Sequence, residues 1–256
     1  MTTASNSPSV GNTPDIAAAL KPLALLAAGR TGADIERMVR ELRAAARRQK
    51  RPFVWADIEQ ALGQGRAKRP AELTGKMAIH EIGHAIAYSV LGLGEVETVS
   101  IAVPTGGMVT AKLNGHMLQD EVGIMRLAAC ILAGRCAEKM MFGTALVGAG
   151  GGDDSDLAKA TRIAFDAELS LGLAEKQPLL YRAPSNISEA LLYNDGLAAR
   201  VNQRLEAAEM MAMDVLETHR PILITLAERL AQVQVMDGET VRHALAAGGG
   251  VVAQDD

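Results

Sequence analysis

Aromatic side chains are scarce in this sequence, and cysteine is nearly absent. Only 3% of the 256 residues are Phe, Tyr or Trp, whereas 48% are hydrophobic, with much Ala, Leu and Gly. This composition favours helices that pack through small side chains. The two cysteines, Cys130 and Cys136, lie six residues apart and form no C-x-x-C pair. We expect both to be reduced, buried residues of a cytoplasmic protein.

The sequence also lacks a long apolar run near its beginning. The longest such segment, residues 16–28, is interrupted by Lys21 and Pro22 and is too short to cross a bilayer. The first residues include Ser, Thr and Asn and contain no early basic cluster, so no signal peptide is expected. We therefore expect a soluble protein without a membrane segment.

Charge excludes few partners, because the net charge is only −4. One segment is basic: residues 31–69 contain ten Lys or Arg against five Asp or Glu. A basic helix can bind nucleic acid, but no nucleic-acid-binding motif accompanies this charge. We therefore favour a solvated face, or a docking face for an acidic partner, over nucleic-acid binding.

The strongest chemical signal is the pentapeptide His80-Glu81-Ile82-Gly83-His84. It lies in an apolar run that has no internal proline up to Leu91, so a helix is expected, with Thr74 as its N-cap. Residues four apart share one face of a helix, so His80 and His84 can bind the same metal ion.

Glu81 lies beside this pair but off the direct line to the metal. That is the position in which a zinc peptidase needs a general base. The alternative is a helix with two hydrogen-bonded core histidines. However, burying a glutamate and two histidines in such an apolar run would be costly without a metal ion.

A catalytic zinc site usually has three protein ligands, so the pattern leaves one ligand open. The candidates are three other histidines and the acidic residues that follow the glycine run 148–152: His116, His219, His243, Asp153, Asp154 and Asp156. The acidic residues are also good helix caps, and an acid-capped helix start is the simpler interpretation of them. Both interpretations can hold together.

The segments around the pentapeptide predict further elements. Residues 96–103 and 108–113 are expected to be strands joined by a turn at residues 104–107, and residues 120–142 a long apolar helix. The strand near Val99 would lie beside the site and could pair with an extended substrate.

In this order, the motifs resemble the peptidase domain of FtsH-type ATP-dependent zinc metalloproteases. The family's H-E-A-G-H, G-R-x-A-E-E and D-L-x-x-A-T motifs are similar to residues 80–84, 134–139 and 156–161, and the turn at residues 104–107 also fits. The resemblance covers about residues 31–245. Its first part, residues 31–61, is similar to the end of the family's AAA+ lid.

The resemblance implies a Zn²⁺ cofactor held by His80, His84 and Asp156, with Glu81 as the catalytic residue. We expect Asp154 either to cap the helix or to support the ligands without binding the metal. It implies a mainly α fold with a small β-sheet beside the active helix. The expected domains are a tail and short helix (1–30), a lid-like helical segment and linker (31–69), the metallopeptidase domain (70–247) and a C-terminal tail (248–256).

This chain departs from the family in one important way: it contains no G-x-x-x-x-G-K-[ST] phosphate-binding loop. Lys139 and Ser155 also replace a usual Glu and Asn. We therefore expect a zinc endopeptidase that cleaves peptides or unfolded proteins without ATPase activity of its own. The resemblance implies a homo-oligomer, such as a six-fold ring. The ATPase motor of the family is then either lost or present on a separate AAA+ ATPase partner. The alternative is an adaptor or regulatory subunit that docks onto a full-length ATPase-protease ring.

Overall fold

The computed structural model describes residues 20, 23–24, 26–27, 30–63, 69–102, 106–182 and 186–249. The chain divides into two compact units, Met1–Gly65 and Arg66–Asp256. Most of the predicted segment 1–30, part of the predicted turn at residues 104–107, and residues 250–256 of the predicted tail lie outside the described residues.

The first unit contains two described helices, α1 (Gly32–Arg48) and α2 (Trp55–Gly63). Thr31 and Asp34 begin α1 with a capping box, in which each side chain accepts a hydrogen bond from the other residue's backbone N–H. Arg51 donates two hydrogen bonds of 2.8 Å to the carboxylate of Asp57. This paired contact fixes the turn between the two helices.

The second unit contains most of the secondary structure. Its helices are α3 (Ala71–Val90), α4 (Glu121–Phe142), α5 (Asp156–Leu169), α6 (Ile187–Leu192), α7 (Asp195–Thr218), α8 (Arg220–Val233) and α9 (Gly238–Gly249), and its strands are β1 (Gly94–Ser100), β2 (Met108–Leu113) and β3 (Val235–Asp237). Two short 3₁₀ helices span Gly115–Leu118 and Val147–Ala149. The predicted mainly α fold with a small sheet is confirmed.

The three strands form one antiparallel sheet in the order β2–β1–β3. Val99 pairs with Val109 of β2 on one side and with Met236 of β3 on the other. β1 is therefore a central strand, and the prediction that its segment near Val99 accepts a substrate strand is wrong because both of its edges are occupied. β3 is a third strand that the sequence did not predict.

Helix α3 lies at the centre of the unit and packs against α4, α8 and the sheet. The buried residues of α3 and α4 are mostly small: they include Ala78, Ala85, Ala87, Ala128, Ala129, Ala133 and Ala137. Small side chains allow the two helices to approach closely, as the composition predicted. This close packing matters because it brings residues of α4 against the histidines of α3.

The beginning of α3 differs from the prediction. The helix begins at Ala71 after Pro70, and Thr74 lies inside the first turn, where its hydroxyl donates a hydrogen bond to the Pro70 carbonyl. Thr74 is therefore not the N-cap, because Pro70 occupies that position and has no side-chain hydrogen bond to the helix. Within the described residues, no helix is long and apolar enough to cross a membrane.

Candidate metal centre

His80, His84 and Asp156 meet at one point in the structure. The two histidines lie one turn apart on α3, and Asp156 is the first residue of α5, which Ser155 caps by accepting a hydrogen bond from the Ala158 N–H. Nε2 of His80 and Nε2 of His84 are 3.0 Å apart. Oδ2 of Asp156 lies 2.9 Å from the former and 3.2 Å from the latter.

The other ring nitrogens of the histidines show which atoms face this point. Nδ1 of His84 lies 2.8 Å from the carbonyl oxygen of Cys130, which only accepts hydrogen bonds, so Nδ1 carries the proton. Nδ1 of His80 likewise lies 2.8 Å from the Glu138 carboxylate. In the neutral tautomers these contacts select, both Nε2 atoms present lone pairs toward Asp156.

Three acceptors this close together need a cation between them. The ligand atoms of a tetrahedral Zn²⁺ at 2.0–2.1 Å would lie about 3.3 Å apart, close to the 2.9–3.2 Å seen here. The described residues contain no other group of three His, Cys, Asp or Glu ligands with this convergence. Two nitrogens and one carboxylate oxygen are donors that zinc accepts, so the residues fit the ion.

In the metal-free protein, a proton competes for this position. Burial lowers the pKa of His80, but its hydrogen bonds with Asp156 and Glu138 outweigh burial and raise the pKa to about 10. Burial raises the pKa of Asp156, but its hydrogen bonds with His80 and His84 lower that pKa overall. Binding of a divalent cation would therefore release a proton.

Glu81 is buried next to the two histidines, and the backbone of Gly107, just before β2, lies against it. A Cβ atom at Gly107 would overlap the carboxyl group of Glu81, so a larger residue here would displace this side chain. Burial raises the pKa of Glu81, and the nearby His84 and His80 partly oppose that shift. A carboxylate with a raised pKa is suited to accept and return a proton near neutral pH.

Gly134 of α4 closes one side of the centre. A Cβ atom at this position would lie 2.5 Å from Nε2 of His84 and 2.6 Å from Nε2 of His80. The other side opens into a cleft of about 730 Å³, lined by His80, Glu81 and Asp156 together with Met108 of β2. A bound ion would therefore be shielded by α4 and accessible from the cleft.

Glu138 is the functional residue that sequence reasoning missed. Its side chain is only 4% exposed, and its carboxylate accepts hydrogen bonds from His80 through Oε1 and from the Leu146 N–H through Oε2, at 2.7 Å. It therefore orients His80 and anchors the loop that leads toward Asp156. The motif at residues 134–138 was the available signal, but it indicated no role.

The other predicted candidates lie away from this centre. His116 is in the 3₁₀ helix after β2, His219 bonds the Val215 carbonyl at the end of α7, and His243 lies near Glu239 on α9. Asp154 lines the cleft but does not cap α5, because Ser155 holds that position. Of the two roles predicted for Asp154, the helix cap is therefore wrong, and a supporting role near the ligands stays a prediction.

Comparison with known proteins places this geometry in a family. The model of Peptidase family M41 matches residues 71–244. The ATP-dependent zinc metalloprotease FtsH 4 of Synechocystis sp. is 27% identical over 252 residues, which cover 88% of this chain and 40% of that protein. The ATP-dependent zinc metalloprotease FtsH of Bacillus subtilis is 26% identical over 249 residues, which cover 88% of this chain and 38% of that protein.

A third relative, the ATP-dependent zinc metalloprotease FtsH of Caldicellulosiruptor bescii, is 29% identical over 248 residues, with 87% of this chain and 39% of that protein covered. The chain thus spans about two fifths of the length of these relatives. The family match covers the cleft, the sheet and all four predicted site residues. The chain therefore belongs to peptidase family M41, a family of FtsH-type metalloproteases whose cofactor is zinc.

Proposed function

We propose that this chain is a zinc endopeptidase in which His80, His84 and Asp156 bind Zn²⁺ and Glu81 is the general base. The proposal rests on one observation: the two histidine Nε2 atoms and Oδ2 of Asp156 form a triangle with sides of 2.9–3.2 Å. This triangle is open to a cleft beside the buried Glu81. Metal-binding and proton-accepting groups are thus arranged around one accessible point, as peptide hydrolysis requires.

The positions of these residues support this division of roles. Bound Zn²⁺ supplies a Lewis acid that acidifies a water molecule and polarises the carbonyl of the peptide bond. Glu81 accepts a proton from the attacking water and later donates it to the departing amine. Burial of Glu81 keeps its pKa raised, so that the carboxylate can both accept and return the proton.

The free edge of β2 is the surface that supports an extended substrate. Met108 and Val109 line the cleft, and β2 pairs with β1 on one side only within the described sheet. A peptide added along the other edge would form main-chain hydrogen bonds, which do not depend on sequence. Peptides and unfolded chains can adopt this extended conformation, so we propose them as substrates.

We propose that hydrolysis of such substrates needs no ATP, because the 256 residues contain no phosphate-binding loop. The curated relatives are named ATP-dependent, and this chain matches about two fifths of their length. We further propose that the chain assembles into a homo-oligomeric ring and is located in the cytoplasm. The lid-like residues 31–69 would bind a separate AAA+ ATPase partner.

Cleavage of casein by the purified chain tests this function. We expect cleavage without nucleotide, complete loss with a zinc chelator, recovery when Zn²⁺ is restored, and no change when ATP is added. A chain that binds zinc but cleaves neither casein nor short peptides would contradict the proposal. That result would favour the adaptor function, in which the peptidase fold is only a scaffold.

A further inference from the structure

Tyr88 lies on the same face of α3 as the metal-binding histidines and also lines the cleft. It follows His84 by four residues, whereas Glu81 precedes His84 by three. Side chains of a helix lean toward its N-terminus, so this position favours a phenol ring that leans toward His84. Glu81 and Tyr88 are seven residues apart, so they lie at nearly the same angle around α3, with Tyr88 about 10 Å farther along the helix axis.

The hydroxyl group of Tyr88 makes no hydrogen bond with any residue in the described part of the chain, although the residue is half-buried against the core. Only the ring of Tyr88 packs against the core, and the hydroxyl oxygen itself stays accessible from the cleft. A hydroxyl that lines an open cleft without a protein partner is available to a ligand.

This hydroxyl is a proton donor at every ordinary pH. Burial raises the pKa of Tyr88 to about 12, with smaller contributions from Cys130 and from the charge of Asp156. The phenol therefore stays protonated, and it can donate a hydrogen bond to an oxygen atom that becomes negative during a reaction.

Lys159 is the competing donor in the cleft. It lies one turn after Asp156 on α5, it is exposed, and it forms no ion pair with any described residue. Its charge acts on Glu81, whose pKa it lowers slightly against the dominant effect of burial. Lys159 thus acts on the base, whereas Tyr88 lines the same cleft one turn beyond His84 on α3.

We propose that the Tyr88 hydroxyl donates a hydrogen bond to the carbonyl oxygen of the scissile peptide, and more strongly to the oxyanion that forms when water adds to that carbonyl. The inference rests on the proposed peptidase function and adds the group that this function otherwise lacks. No bond to Tyr88 forms or breaks, and its proton stays on the phenol.

The test uses Tyr88→Phe, which keeps the ring and removes only the hydroxyl. We expect kcat for a quenched fluorescent peptide to fall about 10- to 100-fold, with KM within about twofold of the wild type. A phosphinic peptide, whose tetrahedral oxygens mimic the oxyanion, should lose affinity by a similar factor. Binding of the uncleaved peptide to a chain that also carries Glu81→Gln should change by no more than about twofold, because the hydrogen bond to the neutral carbonyl is weaker.

Two control variants make the result specific. Tyr193→Phe removes a hydroxyl from an exposed residue at the end of α6, outside the cleft, and should leave all four measurements unchanged. Lys159→Met tests the competing donor. The proposal is overturned if Tyr88→Phe keeps wild-type kcat and phosphinate affinity, or if Lys159→Met alone produces the loss.

The proposed function and the Tyr88 inference fail in different ways. A wild-type chain that cleaves no peptide contradicts both. A wild-type chain with chelator-sensitive cleavage and a fully active Tyr88→Phe variant contradicts the inference alone. Zinc content and thermal melting of each variant show whether the fold and the metal site are intact, and we expect both to match the wild type.

Discussion

The carboxylate of Glu138 accepts a hydrogen bond from the ring nitrogen of His80 that does not face Asp156, with Oε1 2.8 Å from Nδ1. The two residues lie 58 positions apart in sequence, on α3 and α4. Since the second oxygen of Glu138 accepts the Leu146 N–H, one buried side chain fixes both a metal-binding histidine and the loop after α4. The centre therefore depends on the packing of two helices as much as on the H-E-x-x-H motif.

Glu138→Gln should weaken zinc binding about 10- to 100-fold while the fold persists. An amide can still accept from His80, but its NH₂ group then faces the Leu146 N–H, and two donors oppose each other. The measurement is a competition titration of Zn²⁺ against a chelating dye. Glu209→Gln, which removes a partly exposed ion pair with Lys139, should leave the affinity unchanged. Equal affinities for all three proteins would refute this role of Glu138.

Gly134→Ala should empty the metal centre. The added methyl group would lie 2.5–2.6 Å from both Nε2 atoms, so the imidazoles would have to move away from each other or from Asp156. The zinc content after dialysis should fall far below one ion per chain, and peptidase activity should fall with it. Gly75→Ala is the matched control on α3, because nothing lies within 4 Å of its added carbon. Full zinc occupancy in Gly134→Ala would contradict the close approach of α4 to the two histidines.

Comparison of Asp156→Ala with Ser155→Ala distinguishes the effect of losing a metal ligand from the effect of losing a helix N-cap. Loss of Asp156 removes one of three ligand atoms, so zinc binding should become severely weaker. Loss of the Ser155 cap should cost about 1 kcal/mol of unfolding free energy and leave zinc in place. Asp154→Ala should change neither quantity. Zinc content and melting temperature, measured on the three variants side by side, distinguish these outcomes, and an Asp154→Ala variant without zinc would contradict the assignment.

Glu168 should contribute stability at neutral pH that is lost in acid. Its side chain is buried, and it accepts hydrogen bonds of 2.6 and 2.7 Å from Arg200 and Arg204. Burial raises the pKa of Glu168, but these two arginines outweigh burial and lower it. Since the folded state has the lower pKa, the contribution is complete above the unfolded pKa of about 4.3 and disappears as pH falls through the folded-state value.

Glu168→Gln should therefore lower the unfolding free energy by about 2–3 kcal/mol at pH 7, because two arginines lose a buried charged acceptor. The difference from the wild type should shrink below about pH 4. Urea unfolding at pH 7 and at pH 3 measures it, with Glu175→Gln as an exposed control. A difference that stays constant across this range would show that charge is not the cause.

The parts of this structure that could be predicted from sequence were local or motif-based. The i, i+4 spacing of His80 and His84 needs only a helix, and strand β2 was predicted with its observed bounds, Met108–Leu113. Asp156 came from the resemblance to a family, since the residues alone left the third ligand open. The structure places this carboxylate at the predicted position, and its role as a ligand stays a prediction.

The remaining features depend on contacts between residues far apart in the chain. Glu138 and Gly134 act through helix packing, and no periodicity identifies which residue of α4 faces the histidines. β3 is only three residues long, and it is a strand because it pairs with β1 from 135 to 139 positions away. The prediction that Asp154 caps α5 failed for another reason. Asp153, Asp154 and Ser155 are all residue types that cap helices well, and only the backbone geometry selects Ser155.

The central claim is that Glu81 moves protons while His80, His84 and Asp156 hold the metal. The most direct test is to measure bound zinc per chain and the peptide cleavage rate on the same preparation of Glu81→Gln. We predict one zinc ion per chain, an unchanged melting temperature and loss of nearly all cleavage, because the variant keeps every ligand and loses only the base. A variant that loses its zinc, or that keeps zinc and cleaves peptides at the wild-type rate, would contradict this account.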